Sequence, residues 1–133
     1  MFGVSEISGV VFAGLIGFLI SAVWYSPAAF GNTWFAFQQS LGKTDSTDKR
    51  PILAVILGNF LQAFALLLLM VWTNRFDVPG AIGIALLAWL GFSAASSFID
   101  NQFSPRPVMM WMIDAGQRAV TAIVMALVLA IWF

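Results

Sequence analysis

The stretch that decides the fold is residues 108–133, VMMWMIDAGQRAVTAIVMALVLAIWF. It is long enough to cross a bilayer, because a membrane-spanning helix needs about 20 predominantly apolar residues. Two ionisable residues, Asp114 and Arg118, interrupt it one helical turn apart. Ionisable side chains inside a membrane helix are costly unless they are paired, and they commonly mark a functional site. The stretch therefore predicts a membrane helix with a polar site inside it.

The rest of the chain has the composition of an integral membrane protein. Of its 133 residues, 61% are hydrophobic and only 9% are charged, whereas soluble domains carry about 25% charged residues. The formal net charge is zero, so no basic surface points to nucleic acid. The absence of cysteine and histidine excludes disulfides and argues against the usual zinc and haem sites. We expect a protein of the lipid bilayer without a cofactor.

Four apolar segments predict an all-α integral membrane bundle of four transmembrane helices, folded as a single domain over 1–133. The segments lie at about 7–25, 52–73, 80–100 and 108–132. Prolines, which interrupt or begin helices, separate them at Pro27, Pro51, Pro79, Pro105 and Pro107. The connections are short, so consecutive helices are expected to pack antiparallel.

The longest connection contains a short amphipathic segment at about 30–41. Its apolar residues recur at helical spacing, at Phe30, Trp34, Phe37 and Leu41. We predict an interfacial helix lying flat on the membrane. The alternative is an extension packed on the end of the bundle. The polar stretch that follows, 42–50, is expected to lie in water.

Loop charges predict the orientation of the bundle, because lysine and arginine collect on the cytoplasmic side. One side carries Lys43, Lys49, Arg50 and Arg106. The other side has only Arg75. Both termini are therefore expected outside the cytoplasm.

Small residues predict where helices approach one another closely. In the first segment they recur every four positions, at Gly9, Ala13, Gly17 and Ser21, and Gly91 and Ala95 form a similar pair in the third. Such patterns drive helix association in lipid, where the hydrophobic effect does not. The contacts can lie within one chain or between chains, so a homo-oligomer, or a complex with another membrane protein, is expected.

Polar residues form one stripe on each of the last three segments, in the half nearest the cytoplasm. The stripes contain Asn59 and Gln62, then Ser93, Ser96, Ser97 and Asp100, then Asp114, Gln117 and Arg118. Polar groups in hydrocarbon need partners, so the stripes are predicted to face one another. The acid-to-base order of Asp114 and Arg118 predicts a direct ion pair.

Two interpretations of this cluster stay open. In the structural one, the ion pair fixes helix register through a hydrogen-bond network. In the functional one, the cluster lines a cavity that opens to the cytoplasm and binds a small polar solute, an ion or a lipid headgroup. Transport through one protomer is disfavoured, because the outer half offers no polar path. Catalysis is not expected, because no hydroxyl has an evident activating base.

Two stretches are more specific than the apolar runs. The first is Val23-Trp24-Tyr25-Ser26-Pro27 followed by Phe30, Gly31 and Trp34, and the second is Arg106-Pro107, Trp111 and Ile113-Asp114-Ala115-Gly116. Taken alone, Trp24 and Tyr25 suit the membrane interface, and Pro27 stops the helix. Together the stretches resemble the bacterial membrane-protein family called domain of unknown function 1761. The resemblance implies a four-helix protein of the bacterial inner membrane and adds no activity.

From these observations we expect a non-enzymatic protein that acts through helix packing. It would form a homo-oligomer or serve as an accessory subunit of a larger membrane complex. The alternative is binding or transport of a small solute, an ion or a lipid through the polar cluster.

Overall fold

The computed structural model describes residues 3–40, 50–104 and 107–133, and this part of the chain contains helices and no strands. In chain order the elements are α1 (Val4–Trp24), α2 (Gly31–Ser40), α3 (Arg50–Thr73), α4 (Val78–Ala88), a π-helical segment (Trp89–Ala94), α5 (Ala95–Gln102) and α6 (Val108–Trp132). The α4 helix, the π-helical segment and α5 follow one another without a break. Residues 42–49 of the predicted aqueous stretch 42–50 lie outside the described residues, as do Leu41, Pro105 and Arg106.

In the described part of the chain, four helical stretches are long and apolar enough to cross a membrane. They are Val4–Trp24, Ile52–Thr73, Val78–Gln102 and Val108–Trp132. The predicted all-α membrane bundle of four transmembrane helices is therefore confirmed.

The loop between α3 and α4 shows why these helices end and begin where they do. Asn74 has a φ of 54°, and the N–H of Arg75 donates to the carbonyl of Met70 at 3.0 Å, which closes α3. Asp77 caps α4, because its carboxylate accepts a hydrogen bond from the N–H of Gly80 at 3.0 Å. That hydrogen bond is the main cause that lowers the pKa of Asp77 below its ordinary value.

The apolar core lies toward this loop, and α6 packs there against α1, α3 and α4. The largest fully buried side chains of this core are Leu67, Met70, Met125 and Leu129. The polar residues of α6, at 114–118, lie toward the opposite end of the helix. The apolar core and the polar residues of α6 therefore occupy different levels of the bundle.

The small residues of α1 lie at close helix contacts. Gly9, Ala13 and Gly17 are buried, and a Cβ added to Gly17 would lie 2.7 Å from Oδ1 of Asn59 on α3. Gly91 and Ala95 are instead exposed, and a Cβ on Gly91 would meet nothing within 4 Å. Contact between chains through Gly91 and Ala95 stays a prediction.

Candidate functional site

The turn between α1 and α2 is a tight corner. The N–H of Phe30 donates to the carbonyl of Trp24 at 3.0 Å, and the N–H of Gly31 donates to the carbonyl of Ser26 at 2.9 Å. A Cβ on Gly31 would overlap the carbonyl oxygen of Tyr25, so a glycine is needed there. The rings of Trp24 and Phe30 lie 4.9 Å apart, between centroids. Backbone bonds and ring packing together fix this corner, which also contains Pro27.

The helix that follows begins against the same corner. The rings of Tyr25 and Trp34 meet edge to face, with 5.3 Å between centroids. The first turn of α2 therefore packs on the end of the bundle, whereas its position at a membrane interface stays a prediction.

Two side chains of the corner form hydrogen bonds to α6. The indole N–H of Trp24 donates to the carbonyl of Ile113 at 3.0 Å, and the hydroxyl of Tyr25 donates to Oδ1 of Asp114 at 2.5 Å. A Cβ on Gly116 would lie 3.3 Å from Cζ2 of Trp24, so a small residue there lets the indole approach α6. The two specific stretches of the sequence therefore contact each other. Sequence reasoning placed Trp24 and Tyr25 at the interface and missed this contact.

The direct ion pair predicted between Asp114 and Arg118 is wrong. Within the described part of the chain, the ion pair is between Arg75 and Asp77, 3.2 Å apart in an exposed loop. Asp114 is half-buried and accepts a hydrogen bond from Tyr25 on α1. Arg118 is exposed, and it neither donates a hydrogen bond nor forms an ion pair with any described residue. The helical spacing predicted that Asp114 and Arg118 would form a pair. The carboxylate of Asp114 instead accepts a hydrogen bond from Tyr25 on α1.

Gln117 belongs to a satisfied hydrogen-bond network in the bundle. Its side chain is buried and its amide nitrogen donates to the hydroxyls of Ser21 at 2.8 Å and Thr121 at 2.7 Å. Ser21 in turn donates to the carbonyl of Gly17 at 3.2 Å. Asn59 is also buried and donates to the carbonyl of Val55 at 2.9 Å. Among these bonds, the one from Gln117 to Ser21 joins α6 to α1, and the others stay within one helix.

In the polar stripe of the third membrane helix, some side chains contact α6 and others are exposed. Ser97 accepts a hydrogen bond from the indole N–H of Trp111 at 3.0 Å and donates to the carbonyl of Ser93 at 2.7 Å. Ser96 is exposed and lies outside the cavities around Arg118. The prediction missed Asn101, which is only 6% exposed and whose Oδ1 has no hydrogen-bond partner among the described residues. Its position four residues after Ser97 is the signal that could have indicated it.

Three cavities border Arg118. The apolar cavity, about 370 Å³, lies between α3 and the π-helical segment, and its lining includes Leu66, Leu69, Trp89, Phe92 and Ala122. The amide cavity, about 430 Å³, is lined by residues that include Tyr25, Trp34, Asn59, Gln62 and Gln117. The oxygen-rich cavity, about 270 Å³, is lined by Ser97, Asp100, Asn101, Ser104, Trp111 and Asp114. Gln62 and Ser93 also line the apolar cavity. Arg118 therefore borders one apolar cavity and two polar cavities.

The π-helical segment lines the apolar cavity together with Arg118. The indole N–H of Trp89, at its start, donates to the carbonyl of Ala115 on α6 at 2.9 Å. Trp89, Ser93 and Arg118 line the same cavity. Single π-helical turns within α-helices occur frequently at functional sites. The π-helical segment and Arg118, which has no described partner, therefore line the same cavity.

The chemistry of this place is that of anion recognition. A guanidinium has five N–H donors in a plane and binds carboxylate or phosphate groups through two parallel hydrogen bonds. No group of three or more metal-ligating side chains occurs in the described part of the chain. The geometry therefore gives Arg118 the capacity to bind an oxyanion.

A comparison with protein families confirms the predicted resemblance. The model of a family described as protein of unknown function (DUF1761) matches residues 8–130. The match includes both the corner and the segment of α6 that it contacts. No curated protein and no solved structure matches the chain.

Proposed function

Because the chain belongs to the DUF1761 family, whose description assigns no activity, we propose from its geometry that it binds an oxyanion at Arg118 within the membrane. The oxyanion is the carboxylate or phosphate group of a small or amphiphilic molecule. The observation that carries the proposal is the guanidinium of Arg118, which is exposed, has no described partner and borders three cavities.

The cost of an unpaired arginine supports this proposal. Placing an arginine at the centre of a membrane helix costs about 2.5–3.5 kcal/mol on insertion scales. Gln117, one position earlier, has its amide nitrogen satisfied by two hydroxyls. A bound anion would give Arg118 the counter-charge that no described residue provides.

The proposed role is binding without catalysis, in the bacterial inner membrane. Within the cavities around Arg118 the hydroxyls have no histidine, cysteine or lysine to activate them. We further propose that both termini lie outside the cytoplasm, because lysine and arginine concentrate in the loops at the other end. The site then lies in the cytoplasmic half of the bundle.

Titration of dodecyl phosphate into the purified protein in a non-ionic detergent tests the proposal. Tryptophan emission reports binding, because Trp34, Trp89 and Trp111 line the cavities. We expect a saturable change that Arg118→Gln weakens at least about tenfold, since hydrogen bonds to charged groups contribute about 1.5–3 kcal/mol. Arg75→Gln is the matched control, because it removes the same charge from an exposed loop. Equal affinity of wild type and Arg118→Gln would overturn the proposal.

A second proposal, self-association, is favoured by a separate surface. Gly83, Leu87, Gly91 and Ala95 recur every four residues on the third membrane helix, and all four are exposed. A Cβ on Gly83 or on Gly91 would meet nothing within 4 Å, so a second helix could approach closely. This surface supports the expected homo-oligomer or accessory-subunit role.

Sedimentation in detergent tests self-association. We expect wild type to form a discrete oligomer and the double variant Gly83→Ile, Gly91→Ile to dissociate while keeping its helical circular dichroism. The matched control is Gly58→Ile on α3, a helical glycine that also has open space around its Cβ. A monomeric wild type, or an oligomer that the double variant leaves intact, would contradict the proposal.

A further inference from the structure

We infer that the ligand is an aminophospholipid, a lipid whose headgroup carries a phosphate and a primary ammonium. The inference rests on the proposed oxyanion site and names the molecule that fills it. In this arrangement the phosphate binds Arg118, the ammonium binds acceptors of the oxygen-rich cavity, and hydrocarbon lies in the apolar cavity.

The first support is a buried acceptor without a donor. The side chain of Asn101 is only 6% exposed, yet its Oδ1 accepts no hydrogen bond from any residue that the structure describes. Buried polar atoms in native proteins nearly always have a partner, so this oxygen indicates that a donor is supplied from elsewhere. Asn101 and Arg118 line the same cavity, so one molecule can reach both.

The second support is the character of the other groups in that cavity. Asp100 is exposed at the end of α5 and lines the cavity together with Asn101. A carboxylate and an amide oxygen together select a cation that donates hydrogen bonds. A primary ammonium has three N–H donors, whereas a trimethylammonium group has none. The same cavity therefore presents a guanidinium for the phosphate and acceptors for the amine.

The third support is an apolar compartment that begins at the same guanidinium. Arg118 and Gln62 border the apolar cavity at its polar side, and the rest of the lining is mainly Leu, Ala, Trp and Phe. Phe92, in its wall, is 84% exposed, so the cavity opens toward the hydrocarbon around the helices. A free polar solute has no apolar part that could fill the apolar cavity. A lipid fills it and enters sideways between α3 and the π-helical segment.

Competitive retention of lipids, measured by native mass spectrometry, tests the inference. The full-length protein is equilibrated with equal amounts of phosphatidylethanolamine, phosphatidylcholine and phosphatidylglycerol that carry identical acyl chains. We expect one retained lipid per chain and roughly fivefold preference for phosphatidylethanolamine over phosphatidylcholine, the effect of about one hydrogen bond. Arg118→Gln should lose retention of all three lipids.

Variants at the acceptors separate the amine site from the phosphate site. Asn101→Ala should keep total retention and lose the preference for phosphatidylethanolamine over phosphatidylcholine. Asp100→Asn, at an exposed position, should reduce the same preference without affecting folding. Ser96→Ala is the matched control, because Ser96 is exposed on the same helix and outside the cavities.

Three results would overturn the inference, and they differ in what they imply. Equal retention of the three lipids by wild type, with loss in Arg118→Gln, would refute the aminophospholipid and leave the oxyanion site standing. Equal retention by wild type and Arg118→Gln would refute both. Displacement of the bound lipid by phosphoethanolamine or by inorganic phosphate at equal concentration would show that the ligand is a free phosphate compound.

Discussion

Replacement of Tyr25 by phenylalanine removes a single hydroxyl, and with it the hydrogen bond that joins the corner to the carboxylate of Asp114. Hydrogen bonds to charged groups contribute about 1.5–3 kcal/mol to stability. Both residues are half-buried, so we expect the lower end of that range, about 1.5 kcal/mol. The unfolding equilibrium constant should then rise about tenfold. The edge-to-face contact with Trp34 is kept, because phenylalanine has the same ring.

Titration with sodium dodecyl sulfate in mixed micelles, followed by circular dichroism, measures this loss. A double-mutant cycle with Asp114→Asn should give a coupling energy of about 1 kcal/mol, because the two groups are in direct contact. Ser26→Ala is the matched control. It removes the neighbouring hydroxyl, whose bond to the carbonyl of Val23 is exposed, and should change stability by less than about 0.5 kcal/mol. The reasoning would be refuted if Tyr25→Phe lost no more stability than Ser26→Ala, or if the double-mutant cycle gave no coupling energy.

The remaining predictions concern helix contacts and a loop, and each is measured by the same unfolding titration. Gly14→Ala should destabilise by about 1–3 kcal/mol, because a Cβ there would overlap the ring of Phe60. Gly91→Ala adds a Cβ that meets nothing within its own chain, so the stability of the monomer should be unchanged or rise by up to about 1 kcal/mol. A larger loss of stability for Gly91→Ala than for Gly14→Ala would contradict the described packing. The capping carboxylate of Asp77 has a pKa below its ordinary value of 3.8, so its stabilisation is present above pH 3.8 and is lost as the pH falls through the lowered pKa. Asp77→Asn should therefore remove part of the acid dependence, and an unchanged acid profile would contradict this role.

Length and apolar runs were sufficient to predict the fold. Each membrane helix needs an uninterrupted apolar stretch, and prolines mark the interruptions, so the class and the number of spans follow directly from the sequence. The small residues of α1 likewise predicted close contacts, and Gly17 lies against Asn59 of α3. These features depend on local composition and on spacing within one helix.

The contacts of the site depend on which helices are neighbours, and spacing within one helix does not contain that information. Tyr25 lies 89 positions from Asp114 along the chain, yet its hydroxyl takes the position that the prediction gave to Arg118. The polar stripe of the third membrane helix was likewise drawn from sequence spacing alone. It included Ser96, which is exposed, and overlooked the buried Asn101, which lies four residues after Ser97.

A carbon–phosphorus distance measured by solid-state NMR in phospholipid bilayers tests the central claim most directly. In one sample Arg118 is the only arginine and its guanidinium carbon is isotopically labelled, with the other arginines replaced by lysine. In the matched sample only the exposed loop residue Arg75 is kept. We predict a lipid phosphorus in contact with the guanidinium of Arg118, seen as strong dephasing that the Arg75 sample lacks. Equal dephasing in the two samples would contradict an oxyanion site at Arg118.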